Sequence, residues 1–208
     1  MFPDPRFVPG DAPFARGENY EAAVLLDAYR HGIFPWPVDD DVYWWSPDPR
    51  AVIPLDGLRV SRSLHRTLRS GRFRCTADRA FAAVMHGCAE ARGAETWITP
   101  AYEQGYQRLH ELGSAHSIEV WCGDELAGGL YGVTVGAVFT GESMFHRRTD
   151  ASKVALLALR DRLRVRGFGL LDAQLPTPHL ESMGAVEIDR ASYLDRLAEL
   201  VDQPVSFV

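Results

Sequence analysis

The chain has 208 residues, of which 46% are hydrophobic and 24% are charged, as in a globular protein with one core or two unequal ones. This composition excludes an intrinsically disordered chain, and the formal net charge of −6 argues against indiscriminate binding to nucleic acid. No stretch approaches about 18 consecutive apolar residues and no secretory leader is recognisable, so we expect no membrane association and a cytoplasmic location.

Cysteine and histidine residues show no metal-binding pattern. The three cysteines form no Cys-x-x-Cys pair, and the seven histidines lack the spacing of a zinc site. We therefore expect reduced thiols and no bound metal.

Residues 1–57 are rich in Pro, Asp and Trp and are predicted to form a small N-terminal α+β domain. Apolar residues at helical spacing predict one helix from about Asn19 to His31, which ends at Gly32. Prolines in the segments Pro35-Trp-Pro37 and Trp44-Trp-Ser-Pro-Asp-Pro49 predict extended or turn conformations, because proline fixes its own φ and restricts the residue before it.

Three helices are predicted next, over residues 61–70, from residue 76 or 78 to 92, and over 100–112. Alternating apolar and polar residues then predict antiparallel strands at 117–122, 126–135 and 137–140. A helix at 152–165, a strand at 169–175 and a short helix at 191–201 follow. Helices that cover an antiparallel sheet are typical of the α+β class, with residues 58–208 as the larger C-terminal domain.

Arginine residues are concentrated in the first of these three helices. Arg62, Arg66 and Arg69 are spaced i, i+4 and i+7 and form one arginine face, whereas Leu64 and Leu68 are expected to point toward a core. This face could simply be solvated or paired with distant acids. It could also bind phosphate, because each forked guanidinium can make two hydrogen bonds to phosphate oxygens. Such contacts would hold a nucleic-acid backbone without reading its sequence.

Two carboxylates and an amide lie among apolar residues in the second half of the chain. Asp172 and Gln174 are two residues apart on one predicted strand and therefore point to the same face, and Glu142 follows the end of another. Isolated acids usually make structural contacts, for instance with arginines. Three polar groups that converge beside apolar side chains favour a functional site, because an unpaired charge there would be costly. The apolar residues, which could line a pocket or be ordinary core, are Leu130, Phe139, Met144, Leu156, Leu159 and Leu171.

Several short segments form a distinctive set. They are Gly32-Ile-Phe-Pro-Trp36, Trp44-Trp-Ser-Pro-Asp-Pro-Arg50, Phe139-Thr-Gly-Glu-Ser-Met-Phe145, Ala151-Ser-Lys153, Leu170-Leu-Asp-Ala-Gln174 and His179-Leu180. This set closely resembles the leucyl/phenylalanyl-tRNA protein transferase family, and the resemblance extends from about Leu25 to Tyr193. It implies a small N-terminal domain joined to a domain with the acetyltransferase-like fold of the N-acetyltransferase superfamily.

The resemblance implies an aminoacyltransferase that moves Leu, and also Phe or Met, from aminoacyl-tRNA to proteins that begin with Arg or Lys, which marks them for degradation. No cofactor is implied, because the aminoacyl ester is already activated, and we expect a monomer. Glu142, Asp172 and Gln174 would be catalytic: they would orient the attacking amine, and their negative potential would select a basic first residue. Either Glu142 or Gln174 would take the amine proton.

The other site residues follow from the same resemblance. The arginine face would hold the acceptor stem of the tRNA, and the six apolar residues would form the pocket for the aminoacyl side chain. Trp36, Trp97 and Tyr106 would bind the 3′-terminal adenosine, because flat rings can stack on the base and their polar atoms can reach its edges.

Two alternatives stay open at this stage. Arg164-Val-Arg-Gly-Phe-Gly169 matches the segment with which acetyltransferases hold the pyrophosphate of acetyl-CoA, which would suit a CoA-dependent N-acyltransferase. Here the segment closes a predicted helix instead of opening one, so Gly167 fits a helix C-cap better. A non-catalytic RNA-binding module would explain the arginines and tryptophans but would leave the carboxylates unexplained.

Overall fold

The computed structural model describes residues 2–17, 19–38 and 41–208. Within these ranges the chain forms seven α-helices, ten β-strands and two short 3₁₀ helices. The α-helices are α1 (Ala22–Arg30), α2 (Arg62–Arg69), α3 (Phe81–Arg92), α4 (Pro100–Glu111), α5 (Ala151–Arg166), α6 (Pro178–Ser182) and α7 (Arg190–Leu200). The strands are β1 (Ala15–Gly17), β2 (Phe34–Val38), β3 (Asp41–Trp45), β4 (Arg50–Ile53), β5 (Arg74–Ala77), β6 (Ala115–Cys122), β7 (Glu125–Val135), β8 (Val138–His146), β9 (Leu170–Gln174) and β10 (Val186–Ile188). None of the described helices is both long and apolar enough to cross a membrane.

Seven strands form the main sheet, in the order β10-β4-β9-β8-β7-β6-β5. All neighbours are antiparallel except β8 and β9, which pair in parallel from Val138 and Leu170 to Thr140 and Asp172. After Thr140, β8 continues along β7 to His146, whereas β9 ends at Gln174. The sheet therefore opens between β8 and β9 just past their last paired residues.

A smaller sheet, in the order β1-β3-β2, lies in the N-terminal part of the chain. Both proline-rich segments contribute to it in extended conformation, as Pro35–Pro37 lies in β2 and Trp44 in β3. In contrast, β4 belongs to the main sheet, where it pairs with β9 and β10. A domain boundary at residue 57 would cut this sheet, and we propose a division between β3 and β4 instead.

Helices cover both faces of the main sheet, because successive residues of a strand point to opposite sides. On one face, α1, α3, α4 and α7 bury a large apolar cluster that includes Tyr131 of β7. On the other face, α2 and α5 pack over a second cluster that includes Leu130, the neighbouring residue. The N-terminal helix α1 contacts α4 and β7, so the small N-terminal part shares the core of the main sheet.

The predicted α+β class is confirmed, as are the predicted helices, whose ends differ from the prediction by a few residues. The strand predicted at 137–140 is longer than expected, because β8 extends to His146 and Glu142 lies inside it. On α2, Leu64 is buried as predicted, but Leu68 is 42% exposed, so the expectation that it points to a core is wrong.

Candidate active site

A cavity of about 350 Å³ lies where β8 and β9 separate. Its wall includes residues of β7, β8, β9 and α5, and the segment 175–180 after β9 closes one side. Trp36 of β2 and Trp97, which precedes α4, also contribute. The cavity thus combines side chains from distant parts of the sequence.

The apolar wall contains five of the six predicted pocket residues: Leu130, Met144, Leu156, Leu159 and Leu171. Ile53 of β4 and Leu180 of α6 also belong to this wall, and neither was predicted as a pocket residue. The sixth predicted residue, Phe139, does not line the cavity. It precedes the point where β8 and β9 separate, and its ring packs in the core against Phe207 at 5.6 Å.

Glu142 lies at a β-bulge of β8. Tyr131 is paired with Ser143 and Gly132 with Gly141, so Glu142 is an extra residue without an opposite partner. A bulge of this kind redirects a side chain and is common beside active sites. Here it puts the carboxylate of Glu142 in the cavity wall and also against tyrosines of α1 and α4.

Three hydrogen bonds hold the Glu142 carboxylate. Tyr29 and the Nε2 atom of Gln174 each donate to Oε1 at 2.7 Å, and Tyr102 donates to Oε2 at 2.8 Å. The hydroxyl of Tyr106 lies 3.3 Å from Oε2, but its single proton goes to the hydroxyl of Tyr29, which has already donated its own to Glu142. Burial raises the pKa of Glu142 to about 7, although the hydrogen bonds from the tyrosines act in the opposite direction.

The side-chain orientation of Gln174 follows from this contact. An ionised carboxylate can only accept hydrogen bonds, so the amide nitrogen of Gln174 faces Glu142 and its Oε1 remains an acceptor on a residue that lines the cavity. The backbone of Gln174 has a φ of +63°, which is unusual for a residue other than glycine. Its N–H donates to Oδ1 of Asp172 at 2.9 Å, which helps to hold this conformation.

Asp172 is fully buried in an ion pair with Arg50 of β4. The guanidinium donates to both carboxylate oxygens, at 2.9 and 2.6 Å, and the hydroxyls of Tyr193 and Thr140 donate to Oδ2 at 3.0 and 3.2 Å. Arg50 compensates much of the charge of Asp172, so less of its negative potential reaches the site. Its contact with Gln174 shows that Asp172 also supports the backbone of that residue.

The two predicted tryptophans lie side by side in the cavity wall. The ring centroids of Trp36 and Trp97 are 4.8 Å apart with an interplanar angle of 31°. A base between two rings needs about 7 Å, twice a carbon–carbon contact, so a base could stack only outside this pair. Tyr106 is not available for stacking, because it is fully buried and its ring stacks on Tyr102 at 4.1 Å. The prediction that Tyr106 binds adenosine is therefore wrong in this structure, where its hydroxyl contacts Glu142 instead.

Comparison with known proteins identifies the family. The sequence model of the leucyl/phenylalanyl-tRNA protein transferases matches residues 52–198, and that of their N-terminal domain matches residues 18–48. The chain belongs to this family. The leucyl/phenylalanyl-tRNA–protein transferase of Stutzerimonas stutzeri is 52% identical over 193 residues, which are 91% of this chain and 85% of the relative. That of Syntrophobacter fumaroxidans is 51% identical over 209 residues, 99% of this chain and 89% of the relative. The predicted resemblance is confirmed, and the chain is a transferase.

Among solved structures, a GCN5-related N-acetyltransferase from Kribbella flavida is similar to 79% of this chain and 59% of its own. Its TM-score is 0.43 and its sequence identity is 10%, so its activity does not carry over to this transferase. The acetyltransferase-type segment at 164–169 closes α5, as predicted. Gly167 has a φ of +81° and its N–H donates to the carbonyl of Arg164, which are features of a helix C-cap.

The arginine face of this transferase lies on the surface of α2. Arg62, Arg66 and Arg69 are exposed and, with His65, line one surface depression. In the part of the chain that the structure describes, no ion pair joins these three arginines to an acid. Thr67 donates to Asp150 at 2.7 Å and thereby ties α2 to the start of α5. The face is therefore positioned on the protein and open to an anion.

Sequence reasoning missed several residues of the site. Arg50 ends the motif Trp44–Arg50, which does not indicate its partner, because Asp172 lies 122 positions farther along the chain. Tyr102 precedes Tyr106 by one helical turn, a spacing that could have indicated a pair of hydroxyls on one face of α4. Tyr29 and Arg92 carried no signal in the sequence, because only the tertiary contacts of α1 and α3 bring them to the cavity.

Proposed function

We propose that this transferase moves Leu, and also Phe or Met, from aminoacyl-tRNA to the α-amino group of proteins that begin with Arg or Lys. The observation that carries this proposal is the cavity, which combines an apolar wall, the Glu142–Gln174 pair and two tryptophans. The 3′ end of an aminoacyl-tRNA has three matching parts, namely an apolar side chain, an ester carbonyl and an adenine base. Membership of the family supports the same donor class.

The apolar wall supports a donor whose apolar side chain is not β-branched, such as Leu, Phe or Met. Leucines of β7, α5, β9 and α6 surround this end of the cavity together with Met144, whose flexible thioether can adapt to differently shaped side chains. A polar side chain would leave its hydrogen-bonding groups unpaired there, which a site of this kind disfavours. We propose that Phe139 contributes only indirectly, through the packing behind the pocket.

The proposed reaction is an aminolysis. The α-amino nitrogen of the acceptor attacks the ester carbonyl carbon, a carbon–nitrogen bond forms, and the bond between that carbon and the ribose oxygen of the terminal adenosine breaks. One proton leaves the amine, and one is taken up by the departing ribose oxygen. The ester supplies the driving force, so the proposal includes no ATP, metal or other cofactor.

Gln174 is the group that we propose to orient the attacking amine. An α-amino group with a pKa near 7.7 to 8.0 is already about a tenth neutral at pH 7, so positioning matters more than a strong base. The Oε1 atom of Gln174 would accept a hydrogen bond from the amine. Glu142 would hold the amide nitrogen of Gln174, and Asp172 would hold the backbone.

Selection of a basic acceptor needs a source of negative potential. Because Arg50 compensates much of the charge of Asp172, electrostatic selection would depend mainly on Glu142, whose pKa is raised to about 7 by burial. The preference for Arg or Lys should therefore weaken below pH 7. We also propose a cytoplasmic location, a monomeric state and a role in marking proteins for degradation.

The function is tested by following labelled leucine from Leu-tRNA to three peptides, which begin with Arg, with Asp and with acetylated Arg. Transfer to the free Arg peptide alone is the expected result. Transfer to the Asp peptide would contradict acceptor selection by negative charge, and transfer to the acetylated peptide would contradict attack by the α-amino group. Absence of transfer to any peptide would contradict the proposed function and would favour acyl transfer from CoA.

A further inference from the structure

An arginine outside the predicted site lies against the tryptophan pair. Arg92 is the last residue of α3, and its side chain lines the cavity. Its guanidinium carbon lies 3.5 Å from the ring centroid of Trp97, so the two planes are in contact. Arg92 is nevertheless exposed enough to be reached by a ligand.

The stacked guanidinium keeps its hydrogen-bond donors available. A guanidinium on an aromatic face directs its N–H groups sideways in its own plane, so the ring consumes none of them. The side-chain hydrogen bond of Arg92 within the described residues goes to the hydroxyl of Ser143, at 3.5 Å. This contact is at the upper limit of hydrogen-bonding distance and leaves most of the guanidinium N–H donors of Arg92 free.

No carboxylate in the described ranges neutralises Arg92. Glu90, two residues earlier on α3, pairs with Arg147 at 2.7 Å instead. Partial burial lowers the pKa of Arg92, which means that its charge is partly desolvated without a counter-charge. A cation in this state is suited to an anionic ligand at the edge of the cavity.

We infer that Arg92 binds the phosphodiester group that precedes the terminal adenosine of the donor tRNA. This inference depends on the proposed function. An adenine stacked against the tryptophan pair has its 5′-phosphate one ribose away, and the guanidinium held on Trp97 lies at this edge of the cavity. The arginine face of α2 would contact the acceptor stem farther along the same molecule, so the two cationic sites would bind different phosphates.

A purely structural role of Arg92 would give a different result when the residue is replaced. Arg92 could only support the Trp97 ring, or it could compensate the partial negative charge at the C-terminal end of α3. In either case its loss would affect every donor that uses the tryptophan pair, whether or not the donor has a phosphate.

Three donors with the same leucyl ester separate these roles. The first is leucyl-adenosine, which has no phosphate; the second is leucyl-cytidylyl-adenosine, which has one phosphodiester; the third is Leu-tRNA. We expect Arg92→Gln to lower kcat/KM by about 10- to 100-fold for the second and third donors, because one charge-assisted contact is lost. The value of kcat/KM for leucyl-adenosine should not change. Arg92→Lys should recover part of the loss, because it keeps the charge without the stacked fork.

Matched variants define the outcomes. Arg147 also lies over an aromatic ring, that of Phe145 at 5.2 Å, but it is paired with Glu90 and lies outside the cavity wall, so Arg147→Gln should affect no donor. Equal loss with all three donors for Arg92→Gln would overturn the inference in favour of a structural role, and unchanged kinetics would overturn it outright. A wild-type protein inactive with all three donors would instead contradict the proposed function.

Discussion

Replacement of Glu142 by glutamine should change how the stability of this transferase depends on pH. Burial raises the pKa of Glu142 from its ordinary value of 4.5 to about 7, while hydrogen bonds from Tyr29 and Tyr102 limit the rise. The folded protein therefore binds this proton more tightly than the unfolded chain does. The resulting stabilisation is complete below pH 4.5 and is lost as the pH rises through 7.

The magnitude follows from the two pKa values. Each pH unit between them changes the free energy of unfolding by about 1.4 kcal/mol. Ionisation of Glu142 should thus lower the stability of the wild-type protein by about 3 kcal/mol between pH 4.5 and pH 7.5. Glutamine does not ionise in this pH range. Any hydrogen bond that it fails to make lowers the free energy of unfolding by the same amount at every pH.

Urea denaturation followed by tryptophan fluorescence measures this difference. The free energy of unfolding of Glu142→Gln, relative to that of the wild type, should rise by about 3 kcal/mol as the pH is raised over this range. Glu111→Gln is the matched control, because Glu111 is an exposed glutamate of α4, paired with Arg108, and its stability difference should not follow this trend. Parallel curves for the wild type and Glu142→Gln would refute the reasoning, because they would mean that burial does not perturb Glu142.

Three further predictions concern the site and its support. Gln174→Ala should lower kcat by about 100-fold, the size typical of a lost transition-state contact, with little change in KM for Leu-tRNA; normal turnover would remove Gln174 from the mechanism. Reversal of charge at Arg62 and Arg66 should raise KM for Leu-tRNA and weaken its salt dependence but spare leucyl-adenosine, and equal loss with both donors would contradict phosphate binding by α2. Arg50→Met should lower the free energy of unfolding by about 3–5 kcal/mol, because it leaves the carboxylate of Asp172 buried without a cation; a loss below about 1 kcal/mol in urea denaturation would contradict this account.

Features with a local cause could be predicted from the sequence. Helix α2 begins after Ser61, whose hydroxyl accepts the N–H of Leu64, and α4 begins after Thr99, whose hydroxyl accepts the N–H of Tyr102. The end of α5 at Gly167 was also predictable, because glycine readily adopts the positive φ of a C-cap. The same holds for the spacing of the arginine face, which depends only on the period of a helix.

The strand that carries Glu142 shows where local reasoning ends. The bulge at this residue exists because β8 pairs with β7 in two registers, before and after it, and a register depends on the partner strand. In the sequence, Gly141 and the polar residues after it interrupt the alternation that a regular strand shows. The predicted strand therefore ended at residue 140. The opening between β8 and β9, which forms the cavity, likewise depends on where their pairing stops.

By itself, the sequence determined the family, the α+β class, six of the seven described helices and the chemical types of the groups at the site. Only the tertiary structure decided that Arg50 pairs with Asp172 across 122 positions of the chain, that Tyr106 lies beneath the site, and that Phe139 belongs to the core. Local propensities act over a few neighbouring residues, whereas the burial and charge of a side chain depend on elements that pack against it from anywhere in the chain. The state of each functional group was therefore set by the fold.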